Sequence, residues 1–441
     1  MEETTLSKSL SPVQLWGIVV GMVISGMYFG WNYAFALTTP VGFAIATIIV
    51  TIFYTTFMFT YAELSTAIPH AGGPSEYAAR AMGNFGGYLA GFSCLVEFLF
   101  ATPAIALSVG AYIHYLIPSV PVVLAAVAIY VLFVVINCIG VKTAAAVELL
   151  ITIIAILGLV MFCAVGAPHI KVANYEFGNM LGTGGIKGIF GAIPFAIWFY
   201  LAVEGGALAA EECKNPKKDI PKGFLLGIIT LVVLALGTLF VASGVMPASE
   251  FVNTDSPLPA VLQSVFGENS IVPQIMSFIG LFGLIASLHG IILGYSRQTF
   301  AMSRAGYLPE FLSKVSKNGT PVIATVVSSL IGLLFVLTGQ TAIIIVISTF
   351  GAVSLYIISL ISFFILRSKE PNLARPYKVA HIIVPIISSI CVVILFIAIV
   401  LSNLSTIIPV IGAFGVAILY YYLVPHKKMD VRAVPEVTPE A

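Results

Sequence analysis

Along the 441-residue chain, apolar residues come in long runs, with polar residues gathered in short clusters between them. The runs lie at about 14–36, 39–62, 84–113, 121–139, 144–166, 188–210, 222–245, 272–300, 321–338, 341–366, 381–401 and 406–424. Roughly 20 apolar residues, each rising about 1.5 Å, cross the roughly 30 Å of bilayer hydrocarbon as a helix. The pattern predicts an all-α membrane protein with twelve transmembrane helices. The runs are too many and too long for a mixture of buried and spanning helices.

The runs also repeat. Helices 1–5 occupy 14–166 and helices 6–10 occupy 188–366, followed by helices 11–12 at 381–424 and flanked by tails at 1–13 and 425–441. In each half the first helix carries a glycine-rich interruption, Ser25-Gly26-Met27-Tyr28-Phe29-Gly30 in helix 1 and Leu201-Ala202-Val203-Glu204-Gly205-Gly206 in helix 6. In each half a long loop (63–83, 246–271) follows the second helix, and the third helix is unusually long. Helix 6 begins on the side opposite to helix 1, which is the pattern of a five-plus-five inverted repeat. Glycine costs about 1 kcal/mol in a helix interior, and unwound backbone in a bilayer survives where it lines a cavity or finds polar partners. Freed carbonyls suit a cation and freed amides an anion. Close helix packing through small residues is the alternative for each stretch.

Composition removes other classes of function. Hydrophobic residues make up 59% and charged residues 9% of the chain, with a mean hydropathy of +1.06. Against roughly 25% charged residues in a soluble domain, this excludes a cytosolic enzyme, a nucleic-acid binder and a secreted disulfide scaffold. Of the 20 Lys and Arg residues, only Lys171 and Lys187 fall on one side of the predicted topology. The positive-inside rule then places both termini in the cytosol, and the plasma membrane is the expected location. Glu2, Glu3 and Lys8 do not form the positive start of a cleavable signal. The five cysteines are scattered, with no metal-site spacing.

Three ionisable residues fall at membrane depth: Glu97 in helix 3, Glu204 in the helix 6 interruption and His289 in helix 8. A carboxylate at the bilayer centre costs at least roughly 2.5–3.5 kcal/mol, and no Lys or Arg shares that depth, so a mobile cation is the economical partner. Glu204 can instead be a protonated structural acid held by the opened backbone, and His289 a neutral imidazole bridging two helices. Glu97, in a continuous apolar helix, is expected to be the principal counter-charge, with Glu204 organising the helix 6 break. Among the aromatics at this depth, Trp198 stands six residues before Glu204 and could close over an ammonium, a contact worth roughly 0.5–2 kcal/mol. Glu250, Asp255 and Glu268, in an outer loop without Lys or Arg between Met246 and Ser270, are expected to gather cations at the surface.

Several stretches resemble the amino acid–polyamine–organocation permease superfamily. They are Ala62-Glu63-Leu64-Ser65-Thr66-Ala67-Ile68-Pro69 with Gly72-Gly73 and Glu76-Tyr77, the loop Ala210-Glu211-Glu212-Cys213-Lys214-Asn215-Pro216, and Tyr295-Ser296-Arg297 with Ser303-Arg304-Ala305-Gly306-Tyr307. Pro194-Phe195-Ala196-Ile197-Trp198-Phe199-Tyr200-Leu201-Ala202-Val203-Glu204-Gly205 looks like helix 6 of ethanolamine permeases, and Ile285-Ala286-Ser287-Leu288-His289-Gly290 like their helix 8. The resemblance implies five-plus-five inverted repeats with two additional helices, broken helices 1 and 6, and alternating access around a central site. Carried over by position, Ser25, Gly26 and Met27 contribute backbone to that site, and Trp198, Leu201 and Glu204 line it. Two departures stand out. Met27-Tyr28-Phe29 is bulky where amino acid carriers use glycines to hold a substrate carboxylate, and Ala155 stands where some members carry a coupling lysine.

The expectation is a secondary transporter importing a small protonated amine without a carboxylate, above all ethanolamine. The candidate cargo-binding residues are Ser25, Gly26, Met27, Tyr28, Glu97, Trp198, Leu201 and Glu204. The alternative is a proton-coupled amino acid importer or exchanger on the same fold. Glu97, Glu204 and His289 suit coupling to protons, and Ser287 offers an oxygen for sodium. A uniport driven by the membrane potential is equally open. No resident metal or organic cofactor is expected, nor any nucleic-acid partner, and no catalytic motif is present.

Overall fold

The computed structural model describes residues 10–70, 72–140, 145–316 and 319–424. The expected tails lie outside the described residues, apart from 10–13 at the amino end. The chain begins with α1 (Pro12–Val23), α2 (Ser25–Tyr28), a 3-10 segment Trp31–Ala36, α3 (Pro40–Ala67), α4 (Pro74–Met82), α5 (Asn84–Leu116), α6 (Val122–Ile139) and α7 (Ala145–Gly166). It continues with α8 (Gly185–Gly191), α9 (Ile193–Trp198), a 3-10 segment Val203–Glu212, α10 (Pro216–Val245), α11 (Ala248–Phe251) and α12 (Pro257–Phe266). Last come α13 (Ile271–Arg304), α14 (Val322–Val336), α15 (Thr341–Lys369), α16 (Ile383–Ser402) and α17 (Leu404–Leu423). Among the described residues, the one strand-like feature is an isolated bridge between Leu10 and Cys213.

Local chemistry sets the first helix. Ser11 and Gln14 form a reciprocal cap, with the Ser11 N–H donating to Gln14 Oε1 at 3.0 Å and Pro12 at the first helical position. Eleven helical stretches among the described residues are long and apolar enough to cross a membrane. The twelve-span expectation differs at α14, which has 15 residues and reaches only about 22 Å at 1.5 Å per residue. The run expected at 321–338 is shortened by Pro321 at its start and by the turn at Gly339, whose φ is 64°.

The bundle is organised around α5. Of its most apolar window 89% is buried inside the protein, against 17% for α17. The rest of α17 presents apolar side chains outward, as a lipid-facing helix does. α5 packs along α13 and α15, and α1 along α10 and α7. At the end of α15 that carries Arg367 and Lys369, charges hold the bundle together. Glu63, placed in a loop by the hydropathy pattern, is instead in the last turns of α3 and 1% exposed. Its carboxylate meets Arg367 at 2.6 Å and Arg375 at 3.3 Å, and accepts the Val379 N–H at 2.8 Å. Nearby, Arg80 of α4 makes a forked contact with Glu370.

Candidate functional site

Two interruptions of the main chain face each other in the middle of the bundle. In helix 1 the chain leaves α2 through an extended Phe29 (φ −163°) and Gly30 (φ 92°). In helix 6 it leaves α9 through a turn over 199–202 that ends on Ala202 at φ 70°. A side chain with a Cβ is disfavoured there by about 1–2 kcal/mol, so this conformation must be held from outside. The helix 1 break falls inside the glycine-rich stretch singled out in the sequence and the helix 6 turn overlaps the start of the other, but the glycines themselves mostly serve close approach. A methyl group on Gly26 would collide with the Trp198 carbonyl oxygen, and one on Gly205 or Gly206 would run into Met22 or Val19. The small-residue packing alternative therefore holds for these three, and the backbone opens beside them.

Between the breaks lie the two carboxyl groups. Glu97 is fully buried and Glu204 is 1% exposed. Glu97 Oε1 accepts the Ala202 N–H at 3.0 Å, which is the external hold that Ala202 requires. Glu204 Oε2 accepts the Tyr356 hydroxyl at 2.8 Å, and the same hydroxyl stands 3.5 Å from Glu97 Oε1. Tyr54 in turn donates to the Tyr356 oxygen at 3.2 Å. The two carboxyl groups thus share the Tyr356 hydroxyl as a common neighbour. One oxygen of each, Glu97 Oε2 and Glu204 Oε1, is buried without a hydrogen-bond donor. Glu97 thus takes a part in supporting the opened backbone of helix 6 that the sequence had suggested for Glu204, because it reaches across to it from α5.

The remaining predicted residues divide into two groups. Trp198 and Gly30 meet directly, since a methyl on Gly30 would stand 2.6 Å from Trp198 Cδ1, and Phe29 lies edge-on to the Trp198 ring at 5.4 Å. Leu201 is buried in the helix 6 turn. Ser25 is buried too, and its N–H donates to Ser287 Oγ at 3.1 Å. The Ser287 hydroxyl in turn donates to the Gly21 carbonyl at 2.7 Å, so it splints the bend between α1 and α2. The Met27 carbonyl accepts the Trp31 indole N–H at 3.0 Å.

Tyr28 and His289 are directed elsewhere. The Tyr28 hydroxyl donates to the Ala155 carbonyl at 2.7 Å, tying helix 1 to α7 at the position where a coupling lysine was looked for. His289 Nδ1 lies 3.1 Å from Asn137 Nδ2 on α6 and its ring rests on Phe133. It forms a helix-to-helix bridge, the second of its two sequence readings. In the outer loop, Glu250 and Glu268 are exposed, but Asp255 is not a surface collector of cations. Its carboxylate is tied to Tyr33 and Thr341.

Sequence reasoning passed over Tyr54, Tyr356 and Ala202. The tyrosines sit in apolar runs of α3 and α15, where a lone hydroxyl reads as core. Their signal is that both are fully buried, and a buried phenol needs a polar partner. Among the described residues, no group of three or more His, Cys, Asp or Glu could hold a metal ion.

Comparison with known proteins adds the context. A family model described as amino acid permease matches residues 10–424. The branched-chain amino acid permease BcaP of Bacillus subtilis is 25% identical, over 97% of this chain and 96% of its own length. The methylthioribose transporter of Bacillus subtilis is 26% identical, over 75% of each chain. The lysine-specific permease LysP of Lactococcus lactis is 24% identical, over 76% of this chain and 70% of its own.

Proposed function

Because the chain belongs to the amino acid permease family, whose members are transporters and not enzymes, we propose that it imports an amino acid with an uncharged side chain across the plasma membrane, together with a proton. The supporting observation is the pair of adjacent buried carboxyl groups, each with one oxygen lacking a donor. Two adjacent buried charges repel each other and are costly to desolvate. One proton shared between Glu97 and Glu204 answers both and leaves a single negative charge for the ammonium of the cargo. Proton and ammonium then travel together and leave together. Phe29, Trp198, Phe98 and Met22 around the breaks favour an apolar cargo side chain, as does the name of the branched-chain relative. The breaks of helices 1 and 6 fit an inverted repeat of 14–166 on 188–366 that rocks around this pair, with the Lys- and Arg-rich end in the cytosol.

A second reading is favoured by the amides of helix 1. The Ser25 N–H is held by Ser287, that of Met27 by the Ile24 carbonyl at 3.1 Å and that of Gly30 by Asn32 Oδ1 at 3.1 Å. Amides already occupied do not receive a substrate carboxylate, which favours an amine without one, such as ethanolamine.

The deciding experiment is uptake into proteoliposomes of leucine, alanine, lysine, ethanolamine and agmatine, with and without an inward proton gradient. Saturable, gradient-driven leucine or alanine uptake supports the first reading; ethanolamine uptake alone supports the second. In either case Glu97→Gln and Glu204→Gln should each weaken binding at least tenfold, about 1.4 kcal/mol. Cargo binding within threefold of the parent in both variants would remove the carboxyl pair from the site.

A further inference from the structure

One outward stripe of α10 changes chemistry along its length. Leu226, Ile229, Val233 and Phe240 are 53%, 59%, 66% and 45% exposed. They follow one another at intervals of three, four and seven residues and so share one face of the helix, the face turned to lipid. Continued toward the start of α10 in steps of four, the same stripe passes through Lys222 and Lys218, both exposed. Exposed Lys217 flanks them, and exposed Lys214 lies just before the helix. At 1.5 Å per residue the 30 residues of α10 run about 45 Å, the thickness of a bilayer with its headgroups. Lys222 then stands about 6 Å past Leu226, and Lys218 about 12 Å past it. Side chains on a helix tilt toward its start, so both ammonium groups are carried out of the hydrocarbon and into the headgroup layer.

No described acid answers this charge. Among the described residues, none of the four lysines forms an ion pair. Asp219, in the first turn of α10, is buried and accepts the Asn215 N–H at 2.7 Å. Glu212 faces Arg297 at 3.8 Å. The backbone that presents the lysines is fixed, since the Leu10 N–H donates to the Glu212 carbonyl at 2.9 Å and the Lys214 N–H to the Leu10 carbonyl at 3.0 Å. A ligand therefore meets a segment already in place and need not order it.

We propose that Lys214, Lys217, Lys218 and Lys222 form a docking stripe for the headgroups of anionic phospholipids in the leaflet at this end of the bundle.

Charge selects the sign of the partner, and alignment selects its source. A soluble anion or an acidic protein is met by lysines turned to water, whereas Lys218 and Lys222 continue the row that lipid tails cover. The positive-inside rule accounts for lysines at this end of the protein but not for their place on that row. The stripe is independent of which cargo the carrier moves.

One lysine beside an anionic surface gains only roughly fivefold in binding, so the four are replaced together. The full-length protein in neutral detergent would be titrated with fluorescent phosphatidylglycerol and, separately, with phosphatidylcholine. The parent should prefer phosphatidylglycerol by at least about tenfold, and the preference should shrink as salt screens it. Lys214→Gln, Lys217→Gln, Lys218→Gln and Lys222→Gln combined should lose at least about tenfold in affinity for phosphatidylglycerol and keep the parental affinity for phosphatidylcholine. Arg304→Gln, Lys314→Gln and Lys378→Gln combined, exposed at or beyond the ends of α13 and α15, should stay within about threefold of the parent, because charges apart from the stripe are screened. A parent without the preference, or an equal loss in both sets, overturns the proposal. Displacement of the labelled lipid by inorganic phosphate at constant ionic strength would make the occupant a soluble anion and overturn it equally. Should the fourfold variant not fold, Lys218→Gln with Lys222→Gln removes the two lysines on the row itself. That pair should cost at least about fivefold, and unchanged affinity overturns the stripe.

Discussion

Gly26→Ala is the smallest change that should separate the two broken helices. The added methyl would collide with the Trp198 carbonyl oxygen and stand 3.1 Å from the Trp198 carbonyl carbon and 3.3 Å from Phe199 Cα. All three are main-chain atoms, so no side chain can turn away to make room. A carbon and a carbonyl oxygen ordinarily meet at no less than roughly 3.3 Å. The two main chains must therefore move apart, and forced overpacking of this kind costs about 1–3 kcal/mol. Trp198 and Ala202 lie on the helix 6 side of that contact, and Ala202 is held by Glu97 from α5, so the displacement acts on the site itself. Misplacement by about 1 Å can cost on the order of a hundredfold in a positioned reaction, and we expect transport to fall at least tenfold. The assay is a thermal melt of the purified protein alongside uptake in proteoliposomes, with Gly412→Ala as the control. Gly412 lies on α17 with nothing within 4 Å of an added methyl, so the same substitution should be silent there. A Gly26→Ala protein that melts and transports like the parent would refute the direct apposition of the two breaks.

Tyr356→Phe removes the 2.8 Å donor to Glu204 and leaves a buried carboxyl oxygen unmet, worth roughly 1.5–3 kcal/mol for a charged acceptor; calorimetry should show cargo binding at least tenfold weaker, and parental affinity would exclude Tyr356 from positioning the pair. His289→Gln keeps a partner for Asn137 and should leave the pH profile of uptake unchanged; a shifted profile would restore a coupling role. Glu63→Gln strips the ion pairs from Arg367 and Arg375; breaking a buried pair costs about 3–5 kcal/mol, so the melting temperature should drop clearly, and an unchanged melt would show that these contacts do not hold the end of the bundle.

The parts of this molecule that were legible in the sequence are those written by local physics. Length and hydropathy mark where helices run, and glycine-rich stretches mark where helices 1 and 6 open. A carboxyl in an apolar run marks Glu97 and Glu204 as buried and consequential. What local pattern does not carry is partnership. Ala202 opens helix 6 although two glycines follow three and four residues later, because Glu97, 105 positions away, supplies the hydrogen bond that an alanine in this conformation needs. Asp255 reads as one of three acids in a solvated loop until Tyr33 and Thr341, 222 and 86 positions away, enclose it. His289 reads as a lone imidazole in an apolar helix, and its neighbour Asn137 lies 152 positions away. α14 is the opposite case, since Pro321 and Gly339, which bound its run, are local signals that hydropathy alone does not weigh.

The placement of Glu97 also bears on how binding becomes movement. A ligand shifts a conformational equilibrium only by the difference in its interaction with the two forms. Glu97 touches the opened backbone of helix 6 through Oε1 and offers Oε2 to whatever enters the site. A hydrogen bond to a carboxylate is roughly twice as strong as one to a neutral acceptor. The charge on Glu97 therefore sets how firmly Ala202 is kept in a conformation that it leaves at a gain of about 1–2 kcal/mol. An ammonium or a proton arriving at Oε2 draws that charge away from Oε1, and so loosens the one contact that opposes the relaxation of Ala202. Glu204 stands within helix 6 itself, and its Oε2 accepts from Tyr356, a side chain of α15. Two carboxyl groups that look equivalent in the sequence thus differ in placement: one holds the backbone of helix 6 from another helix, and the other ties helix 6 to α15.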